Sequence, residues 1–311
     1  MKTLLLKRAL QLLTVIWGVG TLTFFLMRSL PGDMAYRIAA SRYGQDNVDS
    51  QAAQMVREEL QLDQSSLLAY WHWLTDLLQF KLGDSLVSGA PVIETVQHML
   101  GHSLLLAFAG LMVSILIAVP VGLLCAWRGN PLDSVFMGLS SVIRALPVFV
   151  IGVLFILLFA LHWQWFPVAG FGSFSHLVLP AVTLALSLAA VSNRVVRDAA
   201  KQTFKAPFYQ FSRVKGLSAW QTFRRHGIRN IAVPVVAFFG IQLVSMIEGI
   251  VMIESLFSWP GIGHGLAHAI FARDIPVIQG AALVMGALFV VLNTLVDMLC
   301  LWIDPRGEKD V

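Results

Sequence analysis

The feature that most constrains this chain is the arrangement of its apolar residues, which come in unbroken blocks rather than at every third or fourth position. Residues 9–27 and 103–127 contain no charged side chain. An uncharged apolar run of about 18 or more residues is long enough to cross the ~30 Å hydrocarbon core of a bilayer. Of the 311 residues, 57% are apolar and 13% charged, against about 25% charged in a soluble domain. A water-exposed globule built from this chain would lack the polar surface to cover it. The reading is an all-α, polytopic transmembrane bundle of six spans, at about 9–30, 103–127, 134–160, 177–193, 231–257 and 276–303.

The N-terminus carries Lys2, Lys7 and Arg8 ahead of an apolar stretch that runs to Met27. That stretch is longer than the ~7–15 apolar residues of a cleavable signal. No small-x-small cleavage site follows it, only Arg28-Ser29-Leu30-Pro31-Gly32-Asp33. It reads as an uncleaved first span.

Charge distribution orients the bundle. Residues 194–230 hold nine bases (Arg194, Arg197, Lys201, Lys205, Arg213, Lys215, Arg224, Arg225 and Arg229) against one acid, Asp198. Residues 31–101 hold four bases, Arg37, Arg42, Arg57 and Lys81, against nine acids. Lysine and arginine are retained on the cytoplasmic side. Both termini, the 128–133 turn and the 194–230 loop are therefore expected in the cytoplasm, and 31–101 outside. The expected organisation is a tail and first helix over 1–30, an extracytoplasmic subdomain over 31–102, a five-helix core over 103–303 and a cytoplasmic tail over 304–311. Within the subdomain, Asp49–Leu60 has helix-forming composition. Leu67–Phe80 places apolar residues at helical spacing with Tyr70, Trp71 and Trp73. A small helical unit resting on the membrane surface or covering a pore is expected there.

The loop 194–230 is the most informative stretch. A basic, helix-periodic segment of this length could sit on anionic lipid, bind nucleic acid or dock a partner. It contains Tyr209-Gln210-Phe211-Ser212-Arg213-Val214-Lys215-Gly216-Leu217-Ser218, then Arg225-His226-Gly227-Ile228-Arg229-Asn230 and Pro234. The pattern predicts helix, glycine break, helix, with Gly216 ending one helix and Ser218 capping the next. A helix lying across the base of a bundle is a lever on the spans at either side.

This segment resembles the cytoplasmic "EAA" loop of binding-protein-dependent ABC importer permeases, closest to the dipeptide, oligopeptide and nickel branch. Lys215-Gly216-Leu217-Ser218, Arg225-His226, Arg229-Asn230 and Pro234 carry the likeness. Three further stretches agree. Leu30-Pro31-Gly32-Asp33 follows the first span. Glu254 to Gly263, containing Pro260 and Gly261, follows the fifth and leads to Arg273-Asp274-Ile275-Pro276. Asp304-Pro305-Arg306 closes the sixth. The chain departs from the general loop pattern at Gln210, Phe211 and Ser212. Glu248 and Arg144 stand inside expected spans where the family has uncharged residues.

The resemblance implies a permease subunit in a bacterial inner membrane, forming half a path for short peptides, nickel or a metal chelate. It implies a second homologous permease, two cytoplasmic ATPases that bind ATP and Mg, an extracytoplasmic binding protein, surrounding lipid and no nucleic acid. The chain itself would bind no cofactor and catalyse no reaction. None of its seven lysines lies in a G-x-x-x-x-G-K-[ST] phosphate loop. Glu248 and Arg144 are the candidate path residues.

The remaining polar features have plainer readings. The pairs His98/His102 and His264/His268 have i, i+4 spacing suited to a metal, but interfacial histidine needs no such role. Asp297 suits a structural partner across the bundle. Trp163, Trp165, Trp259 and Trp302 fall near span ends and suit interfacial anchoring. Cys125 and Cys300 lie in expected spans as packing residues, and Asn130-Pro131 is a turn. The competing class is a self-sufficient secondary transporter or channel, which would call for ionisable residues in several spans and often an inverted repeat. Only Arg144, Glu248, Glu254 and Asp297 lie at depth, and no repeat is evident. A membrane enzyme lacks a nucleophile–base pair.

Overall fold

The computed structural model describes residues 2–44, 48–60, 64–129 and 131–303. Asn130 and Asp304-Pro305-Arg306 lie outside these, as does the side chain of Glu248. Among the described residues the fold is all helical: α1 Lys2–Ser29, α2 Met34–Tyr43, α3 Ser50–Glu59, α4 Ser66–Leu78, α5 Val92–Arg128, α6 Leu132–Ala145, α7 Val148–Phe155, α8 Phe174–Lys205, α9 Pro207–Val214, α10 Ala219–Thr222, α11 Ile228–Leu256, α12 Ile262–Ala272 and α13 Ile275–Ile303. Short π-helical stretches, Ile156–His162 and Phe223–Gly227, extend α7 and lead into α11. Among the described residues five helices are long and apolar enough to cross a membrane, and the bent pair α6–α7 makes a sixth if counted as one span.

Three of the expected spans differ in form or extent; the helix of the second, expected over 103–127, begins at Val92. The third is broken, with its halves meeting at 98°. Pro147 is the cause: its ring drives the preceding Leu146 into extended backbone, at ψ 132°. The fourth, expected over 177–193, continues as helix to Lys205. Loss of hydrophobicity at Arg194 marks where the side chains turn polar, not where the helix ends. The helix ends one residue before Pro207, at Ala206 with ψ 141°.

The chain forms two compact units. The first combines residues 1–103 with 260–290. Its core joins Met27, Val92, Val96, Ile262, Val277 and Ala281. A smaller cluster packs α2 on α3 through Ile38, Ala39, Ala52 and Val56. Helix α4 lies alongside α1: Tyr70 and Trp73 pack on Phe24, with ring centroids 5.4 and 5.7 Å away. Asp33 and Asp49 cap α2 and α3 through side-chain acceptance from Ala35 and Ala52 backbone N–H.

The second unit holds residues 104–259 and 291–311. Leu106, Ala118, Leu184, Ala200, Ile250 and Ile253 lie at its centre. Its helices approach closely where side chains vanish, as small residues allow in membranes. A Cβ at Gly122 of α5 would stand 2.7 Å from both the Asn193 carbonyl oxygen and the Val196 Cβ of α8. One at Gly240 of α11 would stand 2.5 Å from a Val296 methyl of α13. Leu116, Val135, Leu139 and Val142 point outward, while Asp133, Ser140, Thr183 and Asn193 are buried. That inversion of the soluble pattern suits a hydrocarbon solvent.

Candidate functional site

The segment between α8 and α11 is built from local signals. Pro207 sits at the first position of α9, where its missing N–H costs nothing. Helix α9 ends in a full Schellman motif: Gly216 N–H donates to the Arg213 carbonyl at 3.0 Å, and Leu217 N–H to the Ser212 carbonyl at 3.3 Å. Gly216 has φ +90°, and open space surrounds the position a Cβ would take. Its glycine is therefore required by backbone conformation, not by crowding. Ser218 then opens α10 with a capping box, its hydroxyl accepting from Gln221 N–H at 3.2 Å and its own N–H donating to the Gln221 side chain at 3.1 Å. The helix–glycine–helix pattern read from the sequence is thus present in atomic detail.

An aromatic core that sequence reading missed holds this segment to the bundle. Tyr209 packs on Phe204 at 5.3 Å, Phe204 on Phe223 at 6.3 Å, and Trp220 on Phe223 at 5.8 Å. Gly227 tucks beneath Phe223 and Tyr209. Gln210 Nε2 donates to the Phe204 carbonyl at 2.6 Å. Burial pushes the Tyr209 hydroxyl above its ordinary pKa, partly opposed by Arg213. The signal was available as aromatics at 204, 209, 220 and 223, but nothing local says which of them face inward. Beneath the segment lies a cavity of about 730 Å³ lined by Pro120, Trp127, Phe204, Tyr209, Arg213 and Trp220, among others.

The named loop residues divide into two faces. Ser212 is buried and bonds back to the Phe208 carbonyl at 2.8 Å. Phe208, Phe211 and Val214, three apart along α9, are 44%, 59% and 83% exposed. Lys215 lies over the Phe211 ring at 4.6 Å. Arg225, Arg229 and Asn230 are exposed, and Asn230 Nδ2 donates to the His226 carbonyl at 2.7 Å. An apolar stripe flanked by bases on a short surface helix is the composition of a docking face.

The other matching stretches also have structural jobs. In the first unit, Arg273 terminates α12 in the left-handed conformation, φ +55°. Its buried guanidinium donates to the carbonyls of Leu30, Pro31 and Gly32. Asp274 accepts from Leu86 N–H at 3.0 Å and from the Ser85 hydroxyl. Asp33 pairs with Arg57 at 2.9 Å. Two motifs at opposite ends of the sequence are therefore bonded to each other. Gly261 precedes α12 in extended backbone, and the buried Gly263 lies in its first turn. The Ser103 hydroxyl accepts from Ile262 N–H at 2.8 Å. In the second unit, Glu254 is fully buried and its carbonyl accepts from Trp259 N–H at 2.8 Å. Trp259 is buried against Phe171, at 5.1 Å.

The rings of each histidine pair meet edge to face, with centroids 4.8 Å apart for His98/His102 and 4.6 Å for His264/His268. Among the described residues no group of three or more metal-binding side chains forms. Burial lowers the His264 pKa, helped by His268. Arg144 is exposed in the last turn of α6, beside the Pro147 break. A second recess, about 670 Å³, runs between α5, α8, α11 and α13, and every residue lining it is apolar or glycine. It offers no partner to a peptide's charges and suits hydrocarbon.

Long apolar helices and outward-facing leucines and valines define a polytopic helical membrane protein. Residues 118–309 match the family model described as the binding-protein-dependent transport system inner membrane component, and residues 1–107 match the model for its N-terminal part. The chain belongs to that family. It is the multi-pass inner-membrane subunit of an ATP-driven importer, with ATP hydrolysis carried by other subunits and no cofactor of its own. It is 33% identical over 301 residues to a glutathione transport system permease protein of Salmonella choleraesuis, covering 96% of this chain and 97% of that protein. It is likewise 33% identical over 311 residues to a probable peptide ABC transporter permease protein of Sinorhizobium fredii, covering 97% and 98%. A crystal structure described as an amino acid ABC transporter with histidines superposes with a TM-score of 0.53 over 67% of this chain and 93% of that one, at 15% identity. That likeness concerns the fold. Family membership disposes of the self-sufficient channel as a reading.

Proposed function

We propose that this chain forms half of the translocation path of a peptide importer, paired with a second homologous permease. Two ATPases dock on α9–α10, and an extracytoplasmic binding protein delivers the cargo. The observation that carries the cargo reading is full-length similarity to permeases named for glutathione and peptide transport. Both termini and the α9–α10 segment face the cytoplasm, supported by the excess of bases over 194–230 and of acids over 31–101.

The exposed Phe208–Phe211–Val214 stripe and Lys215 form the ATPase-facing surface, while Tyr209 and Ser212 fasten the helix to the bundle. Closure of the ATPases on ATP would push this helix, and the spans rooted beside it would alternate the path between its two sides. Arg144 is the described residue assigned to that path; Glu248, the other candidate, has its side chain outside the described residues. An exposed guanidinium within a span is costly unless it meets water or a partner, and a peptide carboxylate is such a partner.

Cells lacking this chain should lose uptake of labelled tripeptide and glutathione and regain it on complementation. Loss of nickel uptake with peptide uptake intact would overturn the cargo reading. Reporter fusions after Asp76 and Ser218 should report opposite sides of the membrane.

A further inference from the structure

Helix α6 is amphipathic in the reverse sense. Val135, Leu139 and Val142 are 63%, 54% and 62% exposed, while Asp133 and Ser140 are buried. Its polar side faces α8. Four α8 residues at i, i+1, i+4 and i+8 meet four α6 residues at the same periodicity, running antiparallel. Asn193 Nδ2 donates to the Ser140 hydroxyl at 2.7 Å. Arg194 donates to the Met137 carbonyl at 3.2 Å and to the Ser141 hydroxyl. Arg197 grips the Asp133 carboxylate with two nitrogens, one of them at 2.5 Å, and Lys201 reaches the same carboxylate at 2.6 Å. Arg197 also bonds Asp198 at 2.7 Å.

In lipid no hydrophobic force drives two helices together, because an apolar face is as well solvated by acyl chains as by a neighbour. The exposed apolar face of α6 points away from α8, and the two helices share the polar row, from Ser140–Asn193 to Asp133 at the end nearest the cytoplasmic turn. At its C-terminal end α8 passes through Ala206 alone into α9, which is tied back by Tyr209 on Phe204 and Gln210 on the Phe204 carbonyl. At the far end of α6 stand Arg144 and the 98° elbow at Leu146-Pro147.

We propose that α6 and the C-terminal half of α8 move as one body during transport, locked by this polar row, so that displacement of α9 reaches the elbow and Arg144. Asp133 is the central positioning residue. The inference rests on α9–α10 being the ATPase-docking segment. It assigns a mechanical role to a helix that does not itself dock.

The test uses the complete transport complex, purified with this chain and reconstituted in vesicles. Cysteines are placed by Ser140→Cys and Asn193→Cys, oxidised, and the disulfide is verified by peptide mapping. Locked and reduced samples should take up tripeptide within twofold of each other, because the lock joins parts that already travel together. Arrest by more than tenfold on oxidation, recovered on reduction, would mean that α6 slides on α8 and would overturn the proposal. Failure of the pair to cross-link would overturn it too, by removing the juxtaposition. Binding-protein-stimulated ATP hydrolysis is read in parallel, so a wrong cargo assignment shows as absent uptake with the lock's effect still legible in hydrolysis.

A second arm uses Asp133→Asn. Uptake per assembled complex should fall at least tenfold while ATP hydrolysis stays within twofold, and Asp133→Glu should restore part of the uptake. Equal loss of uptake and hydrolysis would assign Asp133 a purely structural role. Uptake at the wild-type rate would remove it from the linkage.

Discussion

Helix α8 keeps two neighbours by opposite means. Against α5 it is held by absence: Gly122 lets the backbones close until the Asn193 carbonyl and Val196 sit where a side chain would be. Against α6 it is held by presence, through a carboxylate, two hydroxyls and a backbone carbonyl that accept from Asn193, Arg194, Arg197 and Lys201. Both solve the problem that hydrocarbon supplies no drive for association. Close approach maximises dispersion contacts and tolerates no added volume. Polar bonding tolerates volume at the rim but not the loss of a partner. Asn193 serves both interfaces, its carbonyl oxygen facing α5 and its side chain facing α6.

Gly122→Leu should break the first interface outright. The clash is with backbone, which cannot rotate away, so folded protein in the membrane should fall more than tenfold by detergent-resistant fluorescence of a tagged chain. Gly18→Leu, where nothing lies within 4 Å of a Cβ, is the control and should accumulate normally.

Asp133→Ala should weaken the second interface less. Breaking a fully buried ion pair costs about 3–5 kcal/mol. Here Asp133 is buried, but the Arg197 and Lys201 side chains keep 24% and 31% exposure. A loss of about 2 kcal/mol is expected, read as a lower melting temperature of the purified complex. The double change Asp133→Ala with Arg197→Leu should recover part of it, since the guanidinium that has lost its buried partner and keeps only the exposed Asp198 is then gone.

The docking segment makes a third case, a turn with room but an unusual conformation. Gly216→Asp should cost about 1–2 kcal/mol for left-handed backbone and leave insertion and accumulation within twofold of wild type. Uptake should nevertheless be lost, because the acid stands on the exposed turn beside Lys215. Normal uptake by this variant would detach Gly216 from the docking joint. The smallest effect is expected from Ser218→Ala, which removes one cap worth about 1 kcal/mol. It should lower uptake no more than severalfold, and Ser218→Asp should restore it.

Much was legible in the sequence because it depends on local chemistry. Apolar block length located the spans. Gly216 and Ser218 announced a helix break and a cap, each satisfied within five residues. The motifs Lys215 to Ser218 and Glu254 to Gly263 carry the family resemblance on their own. What sequence left open were outcomes of packing. Hydrophobicity placed the end of the fourth span at Arg194, yet α8 runs to Lys205 because its bases find Asp133 on a helix more than sixty residues away. Pro147 lay in view inside the third span and breaks it at Leu146, but the 98° angle between the halves is not written in the residue type alone. The facing of Ser212 inward and Phe211 outward, and the bonding of Arg273 to Leu30, Pro31 and Gly32, follow from which surfaces meet in three dimensions. Local conformational preference is written residue by residue. The choice of partner is not, because a buried polar group is settled by whichever donor or acceptor the rest of the fold brings within reach.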